Sequence, residues 1–288
     1  MKEFLPSELI LNDLGQIYHL GVAPGELAHK IIVVGDQARV EVISNYFDEV
    51  THKSQHREFS CHTGVYKEKH LSVISTGMGT DNIDIVLNEL DALVNIDFAE
   101  RKMKEQQVVL EIVRIGTCGI LQDDIPVDSF ILSSHAMGID NVGHFYQLKH
   151  DQQDQLLLDE IEKQLHLPEK VKPYLTAADT ELVQRLSSPQ VVKGITATAS
   201  GFYGPQGRIL RLPLAEDRML DSLSAFRYNN QQFTNLEMEC SALFALSKSL
   251  GHKSAAICLG LANRRKKEFS SNYETRIRTL IEYVLERI

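Results

Sequence analysis

The stretch Glu111-Ile-Val-Arg-Ile115, running straight into Gly116-Thr-Cys-Gly119, decides how this chain reads. A short β-branched run closed by glycines reads as a buried strand ending in a turn. The same unit stands twice upstream. Lys30-Ile-Ile-Val-Val34 ends at Gly35-Asp36, and Leu71-Ser-Val-Ile-Ser75 ends in Thr76-Gly-Met-Gly79. Helical patterns follow both: Arg39 to Phe47, then Asp84 to Val94, which places Ile85, Leu87, Leu90, Leu93 and Val94 mostly on one face. Downstream, Asp128 to Ser133, Lys193 to Ala199 and Ser254 to Gly260 read as strands. Helices fit Gln152 to Gln164, Thr180 to Leu186, Met238 to Leu250 and Asn272 to Ile288. Strand–helix alternation predicts an α/β fold with a largely parallel, helix-covered sheet.

Two segments break the alternation. Asp97 to Gln107 is charged and reads as a helical extension or surface insertion; Arg208 to Asn235, with Pro213 and an Asn/Gln cluster, reads as a mobile flap. No repeat and no Pro/Gly linker marks a boundary, so one domain over residues 1–288 is expected. The net charge of −9 argues against a nucleic-acid or membrane-surface binder, which needs a basic face. Cys61, Cys118, Cys240 and Cys258 stand far apart, which suits a reducing compartment and excludes the common zinc-ribbon spacings. Residues 1–20 carry Glu3, Glu8 and Asp13 and lack the apolar stretch of a signal peptide. The longest apolar run, Ala255 to Ala262, is too short to span a bilayer. A soluble, cytoplasmic protein is expected.

Glycine turns at the carboxyl ends of strands let backbone N–H groups approach an anion closely. A dinucleotide fingerprint is not supported, because Asn82 stands where Gly77-x-Gly79 would need its third glycine. Arginines accompany the turns: Arg39 after Gly35, Arg57 in His56-Arg-Glu-Phe59, and Arg114 inside the quoted strand. An arginine there is expensive to bury without an anionic partner, either a bound phosphate or one of the chain's carboxylates. Glu237-Met-Glu239 precedes an apolar helix, where a carboxylate either caps the helix or accepts from vicinal sugar hydroxyls. Phe202, Gln206 and Arg208 put an aromatic face, an amide and a guanidinium within seven residues, a set that suits a planar base. The histidines, His135, His144 and His150 included, show no metal-ligand spacing and read as surface residues.

Taken in order, these segments are similar to the nucleoside phosphorylase family and, within it, to its uridine phosphorylase branch. The resemblance runs through Tyr18-His-Leu-Gly21, Gly35-Asp-Gln-Ala-Arg39 (Gln37 replacing the family's proline), His56 to Phe59 and Ser75 to Gly79. It continues through Arg114 to Gln122, Phe202 to Arg208, Glu237-Met-Glu239 and Asn263-Arg264. It implies a three-layer α/β/α domain with a mixed central sheet. It also implies that Gly35, Arg39, Arg114 and Thr117 hold phosphate, with Arg57 reaching in from a neighbouring subunit. Thr117, Met238 and Glu239 would hold ribose, with His19 contributed by the neighbour. Gly119, Phe202, Gln206, Arg208, Glu237 and Arg264 would surround the base.

Arg114, Glu239, Gln206 and Arg208 are the implied catalytic residues. No metal or organic cofactor is implied; inorganic phosphate is a co-substrate. The family's dimers, commonly assembled as hexamers (trimers of dimers), imply shared sites. Purine phosphorylases of this type carry an aspartate that Gly260-Leu-Ala-Asn-Arg264 lacks, which favours uridine. A purine or broad-specificity phosphorylase and a catalytically idle nucleoside-binding protein stand as the alternatives.

Overall fold

The computed structural model describes residues 3–149 and 151–288, so His150 lies outside the described residues. The first half runs β1 (Lys30–Val34), α1 (Ala38–Ser44), β2 (Glu49–His56), β3 (Phe59–Tyr66), β4 (Lys69–Ser75) and α2 (Thr80–Asn95). Next come β5 (Ile96–Asp97), β6 (Lys102–Met103), β7 (Glu111–Ile120), β8 (Phe130–Gly138), α3 (Gln152–Gln164), β9 (Tyr174–Ala177) and α4 (Thr180–Leu186). The chain closes with β10 (Val191–Thr198), α5 (Met219–Ala225), β11 (Phe233–Glu237), α6 (Cys240–Leu250), β12 (Lys253–Asn263), β13 (Glu268–Phe269) and α7 (Tyr273–Arg287).

Strand β1 shows why there are three layers. Its side chains alternate: Ile31 and Val33 pack with Leu90, Leu243 and Phe244 from α2 and α6, while Ile32 and Val34 pack with Val40, Leu182 and Ile281 from α1, α4 and α7. Both faces of the strand are therefore buried, and each fully buried side chain contributes about 1.5–3 kcal/mol. The main sheet has eleven strands, mixed in direction. Parallel pairs join β1 to β4 and β7, β7 to β12, and β10 to β8 and β11. Antiparallel pairs join β2 to β3, β3 to β4, β7 to β11 and β8 to β12. Because β7 pairs with both β11 and β12, the strands β7, β11, β10, β8 and β12 close into a small barrel. Among the described residues no helix is long and apolar enough to cross a membrane.

Three sequence expectations change. Gly116-Thr-Cys-Gly119 is not a turn: β7 runs on to Ile120 because β12 supplies a partner at each step, Cys258 opposite Gly116 and Leu259 opposite Thr117. Asp97 to Gln107 does not extend the helix. α2 stops at Asn95 and the chain turns through the β5–β6 hairpin, where the Arg101 guanidinium donates to the carbonyls of Phe4, Leu5 and Leu9. The charge in this insertion thus ties down the amino-terminal segment.

Only the first part of Arg208 to Asn235 has the exposed character of a flap. Leu210 and Leu212 are about four-fifths exposed, but the rest contains α5 and the buried strand β11. Phe233 has no exposed surface and packs edge-on against Phe226. Phe233→Ala should therefore cost about 3–5 kcal/mol, the scale of emptying a core aromatic site. Denaturant unfolding measures it; a loss below about 0.5 kcal/mol, normal for a surface position, would return the segment to flap status.

Candidate active site

The parallel register of β1, β4 and β7 brings three strand ends to one level. Val34 lies opposite Ser75 and Val33 opposite Arg114, so Gly35, Thr76 to Gly79 and Ile115 to Thr117 line one edge. Arg39, buried in the first turn of α1, donates to the Ile115 carbonyl at 3.3 Å and the Tyr273 hydroxyl at 2.9 Å. Arg114 is 4% exposed. Its guanidinium donates to the Glu239 carboxylate, lies 3.6 Å from Glu237 and donates to Cys258 Sγ at 3.3 Å. Its buried Nε–H has no acceptor among the described residues, so the group keeps donor capacity to spare. Only glycine fits at 116, because a Cβ there would overlap the Arg114 guanidinium. Gly79, at φ 101°, turns its N–H onto Glu239 Oε1 at 2.8 Å. Thr117 is half-buried two residues past Ile115, on the same strand.

The two carboxylates have different work. Glu237 accepts from the Thr198 hydroxyl at 2.6 Å and from the backbone N–H groups of Glu239 at 2.9 Å and Cys240 at 3.0 Å. It caps the start of α6, which begins at Cys240 and not at Met238. The Glu237 hydrogen bonds thus go to the helix start and to Thr198. Glu239 keeps the position facing Arg114 and Gly79, with half-buried Met238 between the two acids.

Burial pushes the Glu237 carboxyl up to about 7, against the pull of Arg114 and helped by repulsion from Glu239. For Arg114 burial disfavours the cation, but Glu239, Cys258 and Glu237 outweigh it and hold the guanidinium charged. Cys258 is drawn well below the usual thiol range by hydrogen bonds from the Cys118 and Cys240 thiols and by Arg114.

A second group stands on the turn after β10. Gln206, 3% exposed, accepts from Arg208 at 2.7 Å through its side-chain oxygen, and its backbone carbonyl accepts from Arg264 at 3.1 Å. Arg208 lies 3.7 Å from the Phe202 ring centroid and also donates to the Phe202 carbonyl. Phe202 itself is about half exposed, so the ring expected to pack on a base carries a guanidinium on one face. Burial, then repulsion from Arg264, brings the Arg208 guanidinium down to about 10. Gly119 lies against the Arg264 side chain, whose Cγ would stand in ordinary contact, 3.5 Å, from an added Cβ. Behind this turn lies a cavity of about 810 Å³ with apolar walls from Ile139, Tyr203, Leu212 and Met219. It shares Arg208 with the base-side group but is not lined by Arg114 or Glu239.

His19 and Arg57 each pack against Tyr18, and the Arg57 carbonyl accepts from the Gln37 side chain at 3.0 Å, two residues after Gly35. His19 Nδ1 lies 2.6 Å from Glu89, and its carbonyl lies 3.2 Å from His56 Nδ1. Arg57, exposed at the β2–β3 turn, sits 5.8 Å from the Tyr18 ring centroid. His135 faces Asp154 while His144 bonds the Lys172 carbonyl, and no group of three His, Cys, Asp or Glu among the described residues is arranged to hold a metal. Sequence reasoning missed Cys258, Tyr273 and Thr198. Each looks like ordinary core or helix-start material, and only the fold brings it to an arginine or a carboxylate.

Comparison with known proteins follows the same outline. The family described as the phosphorylase superfamily matches residues 29–286. A Trypanosoma brucei nucleoside phosphorylase, described as showing uridine phosphorylase activity, superposes with a TM-score of 0.90 at 32% identity, covering 97% of this chain and 98% of its own. A uridine phosphorylase of Thermococcus kodakarensis is 28% identical over 272 residues, covering 93% of this chain and 85% of the relative. A purine nucleoside phosphorylase of the DeoD type from Oceanobacillus iheyensis is 27% identical over 246 residues, covering 83% and 84%.

The raised Glu237 carboxyl has a signed consequence for stability. Folding increases its proton affinity, so its contribution to stability is present at acid pH and is lost as pH rises through about 7. Glu237→Gln removes that titration. The stability difference, wild type minus Glu237→Gln, should fall between about pH 5 and pH 7. Thermal melts across that range measure it; a constant difference would mean that Glu237 titrates alike in folded and unfolded chains.

Proposed function

The chain belongs to the phosphorylase superfamily, and from that premise we propose that it cleaves uridine with inorganic phosphate to give uracil and ribose 1-phosphate. The observation that carries this reading is the buried Arg114–Glu239 pair at the shared ends of β1, β4 and β7, with a second polar set, Gln206 and Arg208, linked through Arg264 to Gly119 further along β7. Phosphate binds at Gly35, Arg39, Arg114 and Thr117. The gain there is orientation and preorganised charge, since phosphate is already a nucleophile. Glu239, with Met238, accepts from the ribose hydroxyls. A phosphate oxygen forms the new bond to C1′ as the bond from C1′ to N1 breaks, and the base leaves with the electron pair. Arg208 stabilises that charge, Gln206 fixes the orientation of the uracil edge, and the departing anion takes a proton from water. No organic cofactor enters this balance.

The relatives include both uridine and purine enzymes, so the base assignment rests on the Gln206–Arg208 set and on Asn263. The Asn263 amide donates to the carbonyls of Gln122 and Ile125, which ties it to the barrel rather than to a base. Uracil's carbonyl–NH–carbonyl edge suits an amide that donates and accepts beside a guanidinium that only donates. Adenine turns a donor towards the same region. A site built on hydrogen bonds rejects such a mismatch by roughly 10⁴–10⁵.

His19 and Arg57 complete a neighbour's site, so the active unit is at least a homodimer, assembled as a dimer or as a trimer of dimers, working in the cytoplasm. Both pack against Tyr18, and the Arg57 side chain is exposed where a second subunit can approach, which supports this reading.

Three measurements test the proposal. Arg114→Ala should lower kcat for uridine by about 10²–10³, the scale for one transition-state donor, and an unchanged kcat with unchanged phosphate KM would make Arg114 purely structural. In a nucleoside panel uridine should exceed adenosine by several orders of magnitude in kcat/KM; equal rates on uridine and inosine would replace the uridine reading with a broader one. Inactive Arg57→Ala and Arg208→Ala chains, mixed and shown by mass spectrometry to have exchanged, should regain activity. Mixed dimers without activity would place each site within one subunit.

A further inference from the structure

Glu237 sits among hydrogen-bond donors, the Arg114 cation and two further acidic groups, Glu239 and Cys258. Facing it are Arg114 from β7, Cys258 from β12, Glu239 and Cys240 at the start of α6, and Thr198 from the end of β10. Thr198 is fully buried, and its hydroxyl has one proton to give. The Ser241 backbone N–H, which can only donate, occupies the Thr198 oxygen at 3.0 Å. That leaves the Thr198 proton directed at Glu237 Oε1, 2.6 Å away. Ser241 is itself pinned: its hydroxyl donates to Asp140 at 2.7 Å, and the Tyr174 hydroxyl donates to the same carboxylate at 2.9 Å. The chain of donors runs one way, from α6 through Thr198 to Glu237. A protonated Glu237 would need an acceptor of its own, and the carboxylate next to it is Glu239.

We propose that Thr198 is a positioning residue for the phosphorolysis inferred above: it holds Glu237 ionised, which keeps Glu239 free to face Arg114 and the sugar. This rests on that functional reading, in which Glu239 binds ribose. The electrostatics run the same way, since burial raises the Glu237 carboxyl and the Thr198 hydrogen bond lowers it. Losing the hydroxyl raises Glu237 further, so the neutral form, and with it the loss of activity, sets in at a higher pH. Thr198→Val keeps the shape and removes the donor; Thr198→Ser keeps the donor and removes a methyl.

The test is the pH profile of kcat/KM for uridine, at saturating phosphate, for the full-length wild type and both variants. Thr198→Val should move the acid limb upward by about one pH unit while approaching wild-type activity at alkaline pH. Thr198→Ser should restore the wild-type limb. Superimposable profiles for wild type and Thr198→Val, or an equal shift in Thr198→Ser, would overturn the assignment. If Thr198→Val fails to fold, Thr198→Cys, whose thiol is a weak donor, takes its place with the same two outcomes in view. Carbon-13 NMR titration of labelled glutamate, compared between wild type and variant, reads the Glu237 shift without any substrate. A wild type that does not cleave uridine fails the functional reading; an unmoved Glu237 titration fails the Thr198 assignment.

Discussion

A single guanidinium, Arg114, set between two carboxylates inside the protein is the constraint on which the rest of the structure depends. Removing three charges from water costs several kcal/mol per ion, and Coulombic attraction offsets that only when every remaining donor and acceptor is placed. The surroundings supply most of those placements, the Arg114 Nε–H being left without an acceptor among the described residues. Gly116 clears space for the guanidinium, Gly79 turns its amide onto Glu239, and the start of α6 neutralises Glu237 with two backbone N–H groups. Burial opposes the Arg114 charge, and Glu239, Cys258 and Glu237 together hold it as a cation.

The architecture explains how such a cluster meets a second one. β7 pairs with β1 through Glu111 to Arg114 on one side and with the barrel strand β12 along its whole length on the other, and it meets β11 at Gly119 and Ile120. Arg114 stands at the sheet end, while Gly119, further along the same strand, packs beside the Arg264 side chain that bonds the Gln206 carbonyl. One strand thus sets the spacing between the Arg114 cluster and the Gln206–Arg208 group. Replacing the expected Gly116–Gly119 turn by continuous strand is what allows this, since a turn would have separated the two groups.

Legibility followed burial. β1, β4 and the start of β7 read as strands from their apolar runs because both of their faces are covered. β2 did not: Glu49-Val-Thr-His-Lys-Ser-Gln-His56 has no fully buried side chain, so hydrophobic pattern carries no signal there. β11 was lost inside a polar surrounding, although Phe233 is core. Arg114 was legible as an anomaly in an apolar strand, but its partner Glu239 lies 125 residues away and Cys258 lies 144 away. Of the two readings of Arg114 that the bare sequence allowed, the ion pair is the one seen, with Glu239 and Glu237. The Glu237 capping role was visible in its place before a helix; the Thr198 that fixes it was not, because a threonine near the end of a strand is unremarkable until the fold closes.

The most direct test of the central claim is to follow phosphorus. Wild-type chain incubated with uridine and inorganic phosphate, monitored by phosphorus-31 NMR with uracil quantified in parallel, should convert phosphate into a sugar phosphomonoester in one-to-one proportion with uracil released. Uracil appearing with free ribose and no loss of inorganic phosphate would contradict the account, because Arg114 and its companions would then hold something other than the nucleophile.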